Sequence, residues 1–174
     1  MHLKTKTALT RLMIGVAATF AVSMAASPAY AGTATSSLNV SATVSQNCTI
    51  TTTGVVFGSV DVISGFSVDS IGQISVACTN GTAWTASANA GGGAGATLSD
   101  RKMVNGTNLL SYDLYTDAAR TMIWGDGVGG ATATIADIGT GAPKNKSIYG
   151  RIPPSQVTMP AGTYTDTVTV TVTY

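Results

Sequence analysis

The sequence predicts an all-β protein built as an antiparallel sandwich or barrel, and three observations carry that prediction. Nearly every apolar segment alternates with polar residues, the period of a strand with one buried face. Clusters of Gly, Asn, Asp, Ser and Pro separate these segments at short spacing, as turns do. No helical periodicity lies between them. The composition, rich in Thr, Ser, Gly, Ala and Val and lacking Glu, supports strands better than helices.

The first element to justify is one outside the fold. Lys4, Lys6 and Arg11 precede an apolar run, LMIGVAATFAVSMAA, too short to span a membrane stably. Ala29-Tyr30-Ala31 then gives the small-x-small pattern of a signal-peptidase site, so residues 1–31 are expected to be a signal peptide. A membrane anchor is the alternative reading of this stretch; nothing later resembles a transmembrane helix. Cleavage after Ala31 leaves residues 32–174, the length of one domain, with six basic residues against eight aspartates. That weakly acidic balance, without a basic patch, excludes nucleic acid and anionic membrane as expected partners.

Residues 36–48, SSLNVSATVSQNC, place Leu38, Val40, Ala42 and Val44 on one face and Asn39, Ser41, Thr43 and Ser45 on the other. In CTITT, Cys48 and Ile50 share a face; in QISVAC, Ile74, Val76 and Cys78 do. Two cysteines in an exported chain read as a disulfide, and their shared parity with apolar residues puts it inside, joining two strands. It closes a loop of about thirty residues, worth ~3–4 kcal/mol by chain-entropy arithmetic. AWTASA alternates around Trp84, LLSYDLY aligns Leu110, Tyr112 and Leu114, and SIYGRI aligns Ile148 with Ile152. Turns are expected at TNGT, NAGGGAGAT, VNGTN, GDGVGG, GTGAPKN and PPSQVTMPAG. The final run, DTVTVTVTY, lines up Val168, Val170, Val172 and Tyr174. This long β-branched strand would template aggregation as a bare edge, so something else is expected to pair with it.

Catalytic chemistry finds little support. His2, the only histidine, belongs to the leader, Glu is absent, and the two thiols are spent on the disulfide. Ser/His/Asp, Cys/His and zinc-hydrolase arrangements are therefore excluded. A pair of aspartates acting on a sugar is the remaining acid–base option, but Asp61, Asp69, Asp100, Asp117 and Asp126 fall in expected turns. GGGAGA at 91–96 lacks the Lys-Ser/Thr of a phosphate loop and reads as a surface loop. Asp126 and Asp137 stand near glycines without an EF-hand or nonapeptide pattern around them, so no metal and no cofactor is expected. Asn80-Gly81-Thr82 would matter as a glycan acceptor only in a eukaryotic secretory pathway. Trp84 and Trp124 suit either sugar stacking or the core, and at least one is expected in the core.

The order and spacing of several segments together resemble the spore coat U domain family, which includes the Csu-type subunits of archaic chaperone–usher pili. These are the alternating stretch before Cys48, Phe57-Gly58, Cys78, NLLSYDLYTDA at 108–118, WGDG at 124–127, YGRIPPSQ at 149–156 and AGTYTDTVTVTVTY at 161–174. The resemblance implies an incomplete immunoglobulin-like β-sandwich lacking its last strand, over residues 47–174, preceded by an N-terminal donor-strand extension at 32–46. A periplasmic chaperone would fill the open groove first, and the extension of the next subunit would then replace it after export through an outer-membrane usher. Leu38, Val40, Ala42 and Val44 match the donor positions, and Ala42 is small for its pocket. Val168, Val170, Val172 and Tyr174 match the strand that borders the groove and pairs with the chaperone. Cys48 and Cys78 match the cysteines tying the first two strands.

The expected function is therefore a structural subunit of an adhesive pilus on the cell surface, serving attachment and biofilm formation. Its partners would be the chaperone, the usher and neighbouring subunits, and the mature chain would not insert in the membrane. Two alternatives remain open: a tip or adaptor adhesin binding a surface or carbohydrate, and a secreted coat-type protein outside any pilus. Residues 36–45 could also fold back as an ordinary edge strand of their own domain.

Overall fold

The computed structural model describes residues 29–174. The leader's basic and apolar parts, residues 1–28, lie outside the described residues, while Ala29 and Ala31 of the expected cleavage site are exposed. Ala42–Tyr174 form one compact unit. It contains eight strands: β1 (Cys48–Thr53), β2 (Val68–Cys78), β3 (Ala83–Ala88), β4 (Arg101–Asn105), β5 (Asn108–Tyr115), β6 (Ile135–Ile138), β7 (Lys144–Ile152) and β8 (Val170–Thr173). A single 3-10 turn at Val128–Gly130 is the only helical element among the described residues. One sheet has the order β1-β2-β7-β5-β4, the other β6-β3-β8, and every pairing is antiparallel. This is the all-β antiparallel sandwich the sequence pattern predicts, in the immunoglobulin-like form the family resemblance implies.

Each strand forms because one of its faces is apolar. Ile74, Val76 and Cys78 of β2, Trp84, Ala86 and Ala88 of β3, Leu110, Tyr112 and Leu114 of β5, and Ile148 and Ile152 of β7 are buried together. Each large member of this set contributes about 1.5–3 kcal/mol of burial. Both tryptophans belong to the core, and Trp124 donates its indole N–H to the Ala86 carbonyl at 3.1 Å. The Cys48–Cys78 disulfide joins directly opposed residues of β1 and β2, with Cys78 buried.

Three features were not read from the sequence. Arg101, at the start of β4, is fully buried, and its guanidinium donates to the carbonyls of Asn89 (3.1 Å), Leu98 (2.8 Å) and Trp124 (2.6 Å). Burial pulls its pKa down from the ordinary arginine value. Asp69, expected in a turn, instead stands within β2, where Arg151 of β7 clamps both carboxylate oxygens at 2.7 and 2.9 Å. A cross-strand partner outweighs the turn preference of aspartate there. Asp61, Asp117 and Asp126 do accept turn N–H groups, those of Ile63, Met122 and Val128.

The third feature is the chain between β1 and β2. Val55 and Phe57 pack half-buried on the core although residues 54–67 lie outside any ladder. They fit because β2 and β7 carry glycines there. A Cβ at Gly72 would lie 2.8 Å from Val55 Cγ2, and one at Gly150 would lie 2.5 Å from Val55 Cγ1 and 2.8 Å from Phe57 Cζ. Phe57 meets Tyr112 edge to face, with ring centroids 6.3 Å apart.

Candidate functional site: a groove beside the last strand

β8 pairs with β3 from Ala88↔Val170 to Thr85↔Thr173. Among the described residues its other edge carries no ladder. The paired strand is shorter than the expected run from Asp166 to Tyr174. Before Val170 the chain makes single contacts instead: Thr169 with Asn89, and Thr165 in an isolated bridge with Val104 of β4. The chain thus passes from the edge of one sheet to the edge of the other.

Beside this crossing lies a groove of about 1020 Å³. One wall is the chain from Met159 to Asp166 with Val168 and Val170; the other is the end of β1, Thr52 and Thr53, and the unladdered chain that follows it to Ile63. Core residues form the floor, among them Ile74, Leu110, Leu114, Trp124, Ile148 and Ile152. An opening that reaches the core of a sandwich is the shape left when one strand's worth of side chains is missing from it.

A polar contact fixes one side of the groove. The Tyr112 hydroxyl donates to Asp166 Oδ2 at 2.6 Å, while Asp166 Oδ1 accepts from the amides of Gly92 (2.8 Å) and Thr167 (2.7 Å). Burial, and then the neighbouring Asp166 carboxylate, push the Tyr112 pKa far above the usual phenol range. Tyr112 therefore keeps its hydroxyl proton, and the contact ties the glycine-rich loop, the core and the approach to β8 together. Gly91 must be glycine: its φ is +86°, and a side chain would collide with the Asp166 carboxylate.

The structure distributes the expected site residues unevenly. Val168 and Val170 line the groove, Val172 packs half-buried against the core outside it, and Tyr174 is exposed beyond the end of β8. Residues 29–47 carry no strand. Leu38, Val40 and Val44 are 88, 87 and 84% exposed, and Ala42 is exposed as well. Their alternation therefore stands without a buried face in this chain. The wall at 52–63 and the Tyr112–Asp166 contact were missed by sequence reasoning. The alternation of Val55 and Phe57 around exposed Val56 is the one signal that marks this wall.

Residues 34–171 match the Spore Coat Protein U domain, and the chain belongs to that family. Protein U of Myxococcus xanthus is 36% identical over 174 residues, covering 91% of this chain and 95% of its own. Among solved structures, the chain is similar to one in the CsuC–CsuE chaperone–tip adhesion subunit pre-assembly complex from the archaic chaperone-usher Csu pili of Acinetobacter baumannii. That likeness has a TM-score of 0.55 at 27% identity over 76% of this chain, and the chain spans 40% of the length of the solved one. Among the described residues no helix is long and apolar enough to cross a membrane.

Proposed function

We propose that this protein is a structural subunit of an extracellular adhesive pilus and that its biochemistry is assembly rather than catalysis. The observation that carries the reading is the open groove beside the approach to β8 and its first residue, Val170, with core residues on its floor. The exposed alternating segment at 38–44 supplies the missing strand, given to the groove of the next copy. Burying Leu38, Val40 and Val44 there would contribute about 1.5–3 kcal/mol each, with ladder bonds to β8 in addition. Such contacts are head-to-tail and do not close, which is the condition for a filament.

In this reading residues 1–31 direct export, a periplasmic chaperone covers the β8 edge during folding, and an outer-membrane usher passes the subunit to the surface, where the fibre serves attachment and biofilm formation. The relation to a chaperone-bound subunit of a chaperone-usher pilus supports it. Deleting residues 32–46 should leave the groove and chaperone binding intact and abolish polymerisation. A truncated chain that still builds normal filaments would refute the donor assignment.

The same solved complex names a tip subunit, which favours a second reading as a tip adhesin. Electron microscopy with antibody against this chain separates the readings. Label along the fibres indicates a shaft subunit, label at their ends a tip or adaptor, and label on cells without fibres a coat-type protein.

A further inference from the structure

The donor reading leaves one question: what keeps a chain that carries both a groove and a strand from filling its own groove? We infer that Thr79 holds the root of the extension in line with β1, directed away from the chain's own groove, and so favours donation to a second copy over self-filling. This inference rests on the donor reading above.

The observation is how the β1–β2 pairing ends. Past the Cys48↔Cys78 pair, Thr79 N–H donates to the Asn47 carbonyl at 2.9 Å. The reciprocal acceptor would be the Thr79 carbonyl. That carbonyl instead accepts from Thr82 N–H at 3.0 Å, closing the tight turn that contains Gly81 with φ +81°. The Thr79 hydroxyl takes its place: Asn47 N–H donates to Thr79 Oγ1 at 3.1 Å. The hydroxyl hydrogen in turn has two carbonyls in reach, Asn47 at 3.3 Å and Ser45 at 3.4 Å. One side chain thus carries the pairing beyond the disulfide and holds Ser45–Asn47 as a continuation of β1.

The groove lies at the other end of β1. Its lining takes in Thr52 and Thr53 but none of Cys48–Thr51, and on β2 Gln73 and Ile74 but not Val76 or Cys78. Four residue steps of strand carry the chain from Cys48 to Thr52, about 13 Å. To bring Val44 into its own groove the chain must reverse direction within Ser45–Asn47, and that reversal breaks the bonds to Thr79. Delivery to a second copy needs no reversal. Within the chain, the clamp and self-filling are mutually exclusive; between chains, the clamp and donation are compatible.

The test uses residues 32–174, oxidised and refolded alone at low concentration, with monomers and strand-linked chains separated by size exclusion and by unheated SDS gels. Thr79→Val keeps the side-chain shape and removes the hydroxyl; Thr79→Ser keeps the hydroxyl. Thr79→Val is expected to raise the ratio of self-filled monomer to chains about five-fold, the factor that one neutral hydrogen bond represents. Thr79→Ser should stay near the parent. If Thr79→Val keeps the parent ratio while deletion of 32–46 yields no chains, the clamp is wrong and the donor reading stands. If the deletion still yields chains, the donor reading falls and takes the clamp with it. Should Thr79→Val fail to fold, amide exchange at Asn47 in the parent decides: protection supports the clamp, and exchange at the rate of a free peptide overturns it.

Discussion

Asp113 shows at the level of single residues how charge is distributed across the outer face of the larger sheet. It stands opposite Arg151 in register, yet Arg151 gives its donors to Asp69. Asp113 Oδ1 is buried without a hydrogen-bond partner among the described residues, and Oδ2 accepts only a long 3.4 Å bond from the Tyr115 hydroxyl. Burial pushes its pKa up, with Arg101 pulling partly back. A carboxyl whose pKa rises on folding stabilises the fold fully below its unfolded pKa, and that contribution is lost as pH rises through the folded value. Asp113→Asn should therefore raise the thermal midpoint at pH 7, with the difference closing below about pH 4. Melting curves across that range check it; a gap independent of pH would point to packing instead. Asp137 has the opposite sign. Lys144 and Lys146 hold its carboxyl well below the usual range, so its contribution is present at neutral pH and lost in acid.

At the level of elements, the junction of β5 and β7 depends on a side chain that imitates a strand. The two pair only from Asp113↔Arg151 to Tyr115↔Tyr149, and continuing the register would set Ser111 against Pro153, which has no N–H to give. Gln156 fills the gap. Its Oε1 accepts from Ser111 N–H at 2.7 Å, and its Nε2 donates to the Ser111 carbonyl at 2.9 Å and the Pro153 carbonyl at 3.2 Å. Gln156→Ala should lower stability by about 1–3 kcal/mol, because partly buried strand groups lose their partners. Urea unfolding at unchanged m-value measures it. The PPSQ run reads as a turn in sequence, since proline and serine announce turns while nothing local announces a glutamine serving residues 45 positions away. The strands whose alternation meets a partner, such as LLSYDLY and AWTASA, were legible because burial depends on local parity. The extent of β8 was not: its ladder ends where β3 does, and no residue within DTVTVTVTY records that limit.

For the whole molecule, the sequence showed a mismatch before it showed a site. The pattern left a long β-branched strand uncovered at one end and an alternating stretch unpaired at the other, and only the family resemblance joined the two through a groove. Neither foretold its walls, because beyond the end of β1 the chain at 54–63 rests through Val55 and Phe57 on Gly72 and Gly150 rather than on a ladder with its own sequence period. The groove also divides the two tryptophans. Both indoles are buried, but only Trp124 lies in the groove floor; Trp84 lines a separate shallow dish at the β6 side of the smaller sheet. Indole emission follows the polarity of its surroundings, so the emission of Trp124 should move to shorter wavelength as a strand covers it, while that of Trp84 stays still. The shift should survive Trp84→Phe and vanish in a folded Trp124→Phe variant. With that outcome, Trp124 serves as an optical gauge of occupancy, and a fluorimeter follows filling of the groove without any added label.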